Sequence, residues 1–558
     1  MKIKSDSTNR CVIFLFFDQD GIADDYILEM LKDLRGSVRT ILTVVNGFVE
    51  PKSRERLQEV SDEVLARVNV GLDVGGYREG LFYLGFSKLK EYDEVILMNY
   101  TFFAPIFPFR EMFETMAEKD LDFWGITKHH YIRGNPFHDM PYDYLPEHIN
   151  SHFIAMRSSL FMSFNYRNFI IDFKNPKTYL DSITDYEAAF TKHFADLGFT
   201  WDVYMDTSKY EGISYAPFMY EIQEMIRDGR CPIIKRRSFF TDYLAFLQNE
   251  CGESSAEAYE AIREKSGFDT KMIWDNVLRL QNLQDVHQAV HLNYFLPSDV
   301  TAHDFSGGAE GMVFIFGKKN QLPLIEDRYG KSFPEKWKKI RLDGEESYRR
   351  KLAMAGKMAE DGKAVCIVNL FNLEEGSEPH SNAASLLYRE LENTAASEAL
   401  TGNVLDEFGK DPALGMLIPP CSAFGSYFPT MQDGWSGRFE EVRAAASVLG
   451  LQVPVRKSAS RPIVPYGGSF WMRADLLKKI TALPLEENVP DDETMRYLIP
   501  YLVQNERFFT GIVMNTGFAS IEMTNQDYRL RCNNQMIFRK FGPDYFEFEL
   551  EKIRGIRP

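Results

Sequence analysis

Short apolar runs in the first half of the chain stop abruptly at polar or glycine-bearing turns, and this pattern constrains the fold more than any other feature. Residues 11–17 lead into Asp18-Gln19-Asp20-Gly21, and residues 41–46 lead into Asn46-Gly47. A short run at 66–70 enters Asn69-Val70-Gly71-Leu72-Asp73-Val74-Gly75-Gly76-Tyr77, and the run at 94–99 ends in Asn99-Tyr100-Thr101. Between the first two runs, Tyr26, Ile27, Met30, Leu31 and Leu34 have helical spacing. Strand, helix and strand in alternation begin a parallel sheet with helices on its faces. Open sheets of this kind bind ligands beyond the carboxyl ends of their strands. The polar residues at those ends are therefore the first candidates for a site.

The spacing predicts further helices over 53–66, 77–90 and 108–119, and strands over 122–126 and 152–156. Residues 184–197 read as a helix capped by Gly198, and 128–147 as a long loop rich in His, Pro and Tyr. A loop of that length inside a compact domain is more often functional than idle. The second half restarts with strands at 291–295, 312–316, 364–370 and 414–418, and with helices at 343–361, 383–408 and 438–449. Polar stretches at 298–310 and 318–345 read as surface loops. At 558 residues the chain is too long for one ordinary core. The expected division is a first α/β domain over 1–205, a helical extension or linker over 206–285, and a second α/β domain over 286–558.

Bulk properties exclude some functions. A net charge of -17 argues against nonspecific nucleic-acid binding, which needs a cationic surface. It leaves room for an anionic ligand in a local basic pocket. Cys11, Cys231, Cys251, Cys366, Cys421 and Cys532 contain no Cys-x-x-Cys pair, so they read as thiols in a reducing cytoplasm. No run approaches the roughly 18 apolar residues that read as a bilayer span, and no signal peptide is evident. A cytoplasmic protein, soluble or peripheral to the membrane, is the expectation.

Moving a sugar from a nucleotide carrier requires holding a diphosphate, stabilising it as it leaves, and deprotonating an acceptor hydroxyl. Metal-binding carboxylates often serve the second need and a positioned carboxylate the third. Strand 94–99 ends in Asn99-Tyr100 instead of an acidic pair, so Mg²⁺ or Mn²⁺ stays an open question and no metal ligand is assigned. Asn69 and Asp73 flank Gly71, where Asp73 reaches a base or ribose, or else the segment is an ordinary turn that caps a helix. Asp122-Phe123-Trp124-Gly125 is either the floor of a sugar site or a strand end with a core tryptophan. His148, Ser151 and His152 precede a strand and are suited to acceptor or phosphate contact; ordinary strand-entry polarity is the alternative. Asp185-Tyr186-Glu187 opens a helix, where acids are common. Glu187 is the candidate base, with Asp185 beside it. Lys235-Arg236-Arg237 can touch pyrophosphate or anionic lipid, although such runs are more often solvated.

In order along the chain, these segments resemble the rhamnan synthesis protein F family of bacterial polysaccharide and lipopolysaccharide assembly. The resemblance rests on Asn69 to Tyr77, Ile96-Leu97-Met98-Asn99, Asp122 to Thr127, Pro146 to Phe153, Glu187 and Pro232 to Arg236. In the second half it continues through Asp411 to Met416 and Pro465 to Arg473. It implies a GT-A-like (Rossmann-like) first domain and a second α/β domain, itself a degenerate GT-A-like domain in one reading. It also implies inverting transfer of rhamnose, from dTDP-rhamnose, onto a lipid-linked or growing polysaccharide at the inner face of the membrane. Asn46, Asn69, Asp73, Tyr77, Asn99, Asp122 and Trp124 would then contact the donor, while His148, Ser151, His152, Lys235 and Arg236 contact acceptor or phosphate. Three positions depart from the family pattern: Tyr100 stands where an acid is usual, and 369–381 and 491–507 lack expected polar residues. These departures motivate an alternative of another class, a catalytically degenerate glycan-binding or scaffold protein of the same pathway.

Overall fold

The computed structural model describes residues 8–134, 142–241, 254–307, 310–318, 329–370, 382–420, 434–458 and 461–542. The middle of the 128–147 loop, Cys251, Cys421 and the segment 371–381 lie outside the described residues. The chain divides into two compact units, Met1–His291 and Leu292–Pro558. Each is an α/β unit built on a predominantly parallel seven-stranded sheet. Among the described residues no helix is long and apolar enough to cross a membrane.

The first unit opens with β1 (Arg10–Phe16), β2 (Thr40–Asn46), β3 (Glu63–Arg67) and β4 (Glu94–Asn99). It continues with β5 (Phe102–Phe103), β6 (Phe123–Gly125), β7 (Lys128–His129), β8 (His148–Ile149), β9 (Phe153–Arg157), β10 (Trp201–Val203) and β11 (Ile234–Lys235). The sheet order is β10-β6-β9-β4-β1-β2-β3. Only β9 runs against its neighbours in this sheet. Strands β1 and β4 are buried along their whole length, which is why they read as unbroken apolar runs. Helices α1 (Asp25–Arg35), α2 (Pro51–Val60), α3 (Leu72–Leu89) and α4 (Phe109–Ala117) connect the early strands.

Two expected boundaries shift. Pro51 starts α2 at its first position, and extended Ser61 ends it, so the predicted 53–66 helix shortens and β3 occupies 63–67. The left-handed Gly71 (φ 79) starts α3 five residues before the predicted 77. The 128–147 loop is closed at its base, where β7 pairs with β8 and Ile132 bridges Leu145. Short helices at 217–220 and 222–227, and longer ones at 254–265, 271–280 and 283–290, belong to the first unit.

A buried ion pair joins the first residues of β1 and β4. Arg10 Nε donates to Glu94 Oε2 at 2.9 Å, with side chains 2% and 1% exposed. Trp124 Nε1 donates to the other oxygen of Glu94 at 2.7 Å. Removing one partner of such a pair leaves a buried charge without compensation. Glu94→Ala is expected to destabilise the first unit by about 3–5 kcal/mol, measured as a lower denaturant midpoint; an unchanged midpoint would refute the role given to the pair.

The second unit contains β12 (Asn293–Leu296), β13 (Gly311–Phe316), β14 (Lys338–Leu342), β15 (Ala364–Asn369), β16 (Leu414–Ile418), β17 (Phe470–Arg473) and β18 (Phe509–Asn515). Its order is β12-β18-β16-β17-β15-β13-β14, and β17 is again the one reversed strand. The stretch expected as one helix over 383–408 is two, Asn382–Thr394 and Glu398–Lys410. Ser397 is extended and its side chain accepts from Leu400 N, so it starts a new helix. Strand β14 lies within the predicted 318–345 loop, and Thr516–Phe541 adds a long terminal helix that the spacing did not suggest.

His303 spans two acids in this unit, with Nδ1 2.6 Å from Asp406 and Nε2 2.7 Å from Glu310. Burial opposes charging of the ring, but the hydrogen bonds to both carboxylates raise its pKa above the ordinary 6.5. The stabilisation is complete below 6.5 and is lost as pH rises through the elevated value. The second unit should therefore lose stability on alkalinisation from slightly acid pH, and His303→Gln should flatten that slope in thermal unfolding at a series of pH values.

Candidate active site

The packing of α3 on the sheet sets the geometry. A Cβ at Gly76 would collide with Leu15, and one at Gly80 would collide with Ile13, so the two glycines let α3 lie close against β1. Asn46 fixes the helix start from β2, with Nδ2 donating to Leu72 O at 3.1 Å while its Oδ1 accepts from Arg67. Asp73, in the first turn of α3, thereby comes beside Asn99 at the end of β4. Asn99 Nδ2 donates to Asp73 Oδ2 at 2.8 Å. The Asn99 carbonyl oxygen accepts from Thr101 N at 3.1 Å and Thr101 Oγ1 at 2.7 Å, which fixes which way the amide points.

A cavity of about 370 Å³ opens there, lined by Phe17, Asp18, Gln19, Asp73, Asn99, Tyr100, Thr101, Ser151, His152, Tyr179, Glu187, Lys235, Arg236, Arg237, Phe240, Leu280 and Gln281. A smaller cavity of about 130 Å³ shares Tyr179, Glu187 and Lys235 with it and adds His129, His148 and Asn150. Glu187 closes a π-helical turn, Ser182–Glu187, that leads into the helix Ala188–Asp196. Such turns are frequent at functional sites. Ser151 Oγ donates to Glu187 Oε2 at 2.8 Å, and Asn150 Nδ2 reaches Oε1 at 3.4 Å.

The two carboxylates are tuned in opposite directions. Burial lifts Asp73 to about 6, partly offset by the Asn99 hydrogen bond and reinforced by the charge of Glu187. Burial would lift Glu187 as well, but the Lys235 charge first, and then the Ser151 hydrogen bond, draw it below the usual carboxylate range. Burial opposes the charging of both neighbouring histidines. Burial, with the nearby Lys235 charge, lowers His152 to about 3. His148 is lowered too, and its Nδ1 donates to Pro146 O at 2.7 Å. His152 Nε2 is buried without a hydrogen-bond partner.

Of the residues singled out from the sequence, Asp73, Asn99, Ser151, His152, Glu187, Lys235 and Arg236 meet in the main cavity, and His148 lines the smaller one. Six others do not line either. Asn46 holds α3, as above. Asn69 is exposed on the turn before Gly71. Tyr77 is buried beneath the site, where Asp73 and Tyr186 act on its hydroxyl. Asp185 is exposed on the outer side of the π turn. Asp122 precedes β6 at its amino end, where it accepts from Ser159 Oγ at 2.6 Å and Thr200 N at 2.8 Å. Trp124 is core, packed on Phe113 and Phe153 and bonded to Glu94. For Asp122 and Trp124 the reason is strand polarity: ligands sit beyond the carboxyl end of β6, whereas Asp122 precedes its start and the Trp124 ring turns inward.

Sequence reasoning passed over Asp18 and Tyr100 as site residues, although Asp18-Gln19-Asp20-Gly21 was visible as the turn after the first strand. Arg279 had no local signal. From the helix Lys271–Leu280 it donates to Asp18 at 2.7 Å and 3.2 Å, to Asp20 at 2.9 Å and to Asp24 at 2.7 Å. Of these three acids Asp18 lines the cavity, and the one guanidinium is shared among all of them. Asp73 has an amide for a partner, and the oxygens of Glu187 are engaged. Among the described residues no group of three or more His, Cys, Asp or Glu is placed to hold a metal ion. The donor set does not fit a divalent cation.

Because the pKa of Asp73 is raised, its ionised form costs stability. The penalty grows between 3.8 and about 6 and is complete above that range. Asp73→Asn keeps an acceptor for Asn99 and should stabilise the first unit at pH 8 by on the order of 1–2 kcal/mol. The gain should shrink toward pH 4, as measured by thermal unfolding.

A comparison with curated proteins gives no significant match. Among solved structures, core-mannan synthase A from Aspergillus fumigatus, in its Mn/GDP form, is 10% identical over 31% of this chain and 68% of its own, with a TM-score of 0.20. The mannosyltransferase Ktr4p from S. cerevisiae is 10% identical over 31% of this chain and 62% of its own, with a TM-score of 0.22. Likeness at that level decides nothing about this chain. The sequence profile of rhamnan synthesis protein F matches residues 41–309 and 352–517, well over half of the chain. The protein belongs to the rhamnan synthesis protein F family.

Proposed function

We propose that this chain is a glycosyltransferase with a GT-A-like first unit, which moves a sugar from a nucleotide-sugar donor onto a bacterial cell-surface polysaccharide. One observation carries this reading. A single cavity at the carboxyl ends of β1 and β4 contains a carboxylate suited to take a proton, a second carboxylate that stays ionised, and a run of three cations. Membership in a family named for rhamnan synthesis supports rhamnose as the sugar and dTDP as its carrier. It also supports a lipid-linked or growing glycan as acceptor, met at the inner face of the membrane.

In this reading the acceptor hydroxyl gives its proton to a carboxylate as its oxygen attacks the anomeric carbon. The bond from that carbon to the diphosphate oxygen breaks, and the nucleoside diphosphate leaves with the electron pair, inverting the centre. A general base works best when its pKa lies near the working pH. Asp73 meets that condition better than Glu187, the candidate from the sequence. Glu187 is then the fixed anion that orients Ser151 and balances Lys235. The neutral His152, with a ring nitrogen unspent, suits a sugar hydroxyl.

A second reading, a catalytically silent glycan-binding protein, is favoured by the acid-free end of β4 at Asn99-Tyr100. Transfer assays separate the two. Donors that raise the melting temperature in a screen of dTDP-, UDP- and GDP-sugars identify the carrier. With that donor, Asp73→Asn should reduce turnover by about 10²–10⁴-fold while nucleotide affinity holds. The wild-type rate should rise with pH through about 6. Loss in Glu187→Gln with an active Asp73→Asn would return the base role to Glu187, and full activity in both variants would remove the proposed chemistry from this cavity.

A further inference from the structure

The backbone places the cationic segment against the end of β4. Strand β11 pairs antiparallel with β5, setting Lys235 opposite Phe102, and Arg236 N donates to Thr101 O at 3.0 Å. Lys235, Arg236 and Arg237 therefore stand directly beside Asn99-Tyr100-Thr101, at the strand end where an acidic pair would hold a metal. Arg236 is fixed by Asn276 at 2.9 Å and lies 5.5 Å from the Tyr100 ring centre. Lys235 is different. The residue is half-buried, and among the described residues Nζ makes no hydrogen bond or ion pair and lies 5.8 Å from the Phe218 ring centre. The oxygens of Glu187 are spent on Ser151 and Asn150. Glu187 is the anion whose charge acts on Lys235, and the N–H donors of the ammonium that are left unbonded suit a second anion. Asp18, the acid of the Arg279 cluster that lines the cavity, is already bonded by Arg279.

We propose that Lys235, with Arg236 and Arg237 behind it, neutralises the diphosphate of the nucleotide donor in place of a divalent metal. The inference rests on the donor reading above and adds the means by which the leaving group is held. Side-chain cations at this strand end supply the positive charge that a metal bridge would supply, and they do so from a fixed segment of backbone.

Calorimetry on the full chain tests this, with GDP, UDP and dTDP titrated in EDTA and again in Mn²⁺. The diphosphate that binds should do so with the same affinity in both buffers. Lys235→Gln should weaken it at least about tenfold, as expected for losing a charge-assisted phosphate contact. The corresponding nucleoside should be nearly unaffected, and Lys235→Arg should recover most of the loss. Unchanged thermal unfolding of Lys235→Gln confirms that it folds. Binding that appears only with Mn²⁺, or a Lys235→Gln variant that binds as the wild type does, overturns the inference and leaves the donor reading standing. No binding of any diphosphate in either buffer removes the donor reading, and the inference with it.

Discussion

The close seat of α3 on β1 is the constraint from which the site follows. Two glycines one helical turn apart, Gly76 and Gly80, remove the side chains that would hold the helix away from Leu15 and Ile13. Interiors are packed as densely as crystals, so a helix moves toward a sheet only where atoms are missing. The result is that Asp73 comes within hydrogen-bond reach of Asn99, a residue on another strand and 26 positions away. The burial that raises the pKa of Asp73 is the same burial that seats the helix.

Charge is distributed in the cavity with some economy. Arg279 is shared by Asp18, Asp20 and Asp24 on one side. On the other, Glu187 is kept ionised mainly by Lys235. Asp73 lies between them with an amide as its partner and no cation bonded to it. Environments that push two carboxylates apart in pKa separate their possible roles. Here the separation comes from second partners: an ammonium for one acid and a carboxamide for the other.

Much of the first unit was legible because buried parallel strands write themselves as apolar runs. Strands β1, β2 and β4 were readable for that reason; Asn99 and Asp73 followed from where such strands end, and Glu187 from the opening of a helix. The unread parts have physical causes. Trp124 looked like a sugar platform because a sequence does not say which way an indole points; the buried Glu94 turns it inward. Asn69 and Asp73 looked equivalent across Gly71, but the left-handed turn leaves the first in solvent and carries the second into the helix. Arg279 lies 261 residues beyond Asp18, and no local pattern announces a contact at that separation. The break at 395–397 was missed because apolar spacing persists across it while Ser397 restarts the helix.

The clamp made by Arg279 also bears on where this protein can be cut. A fragment ending near residue 205 would retain every strand of the large first sheet, from β1 to β10, and would look complete on paper. It would nonetheless leave Asp18, Asp20 and Asp24 without the guanidinium that all three share, and it would lack the segment that carries Lys235. A piece that retains the residues lining the cleft therefore extends through the helices that end at Val290, although those helices add no strand to the layer they complete.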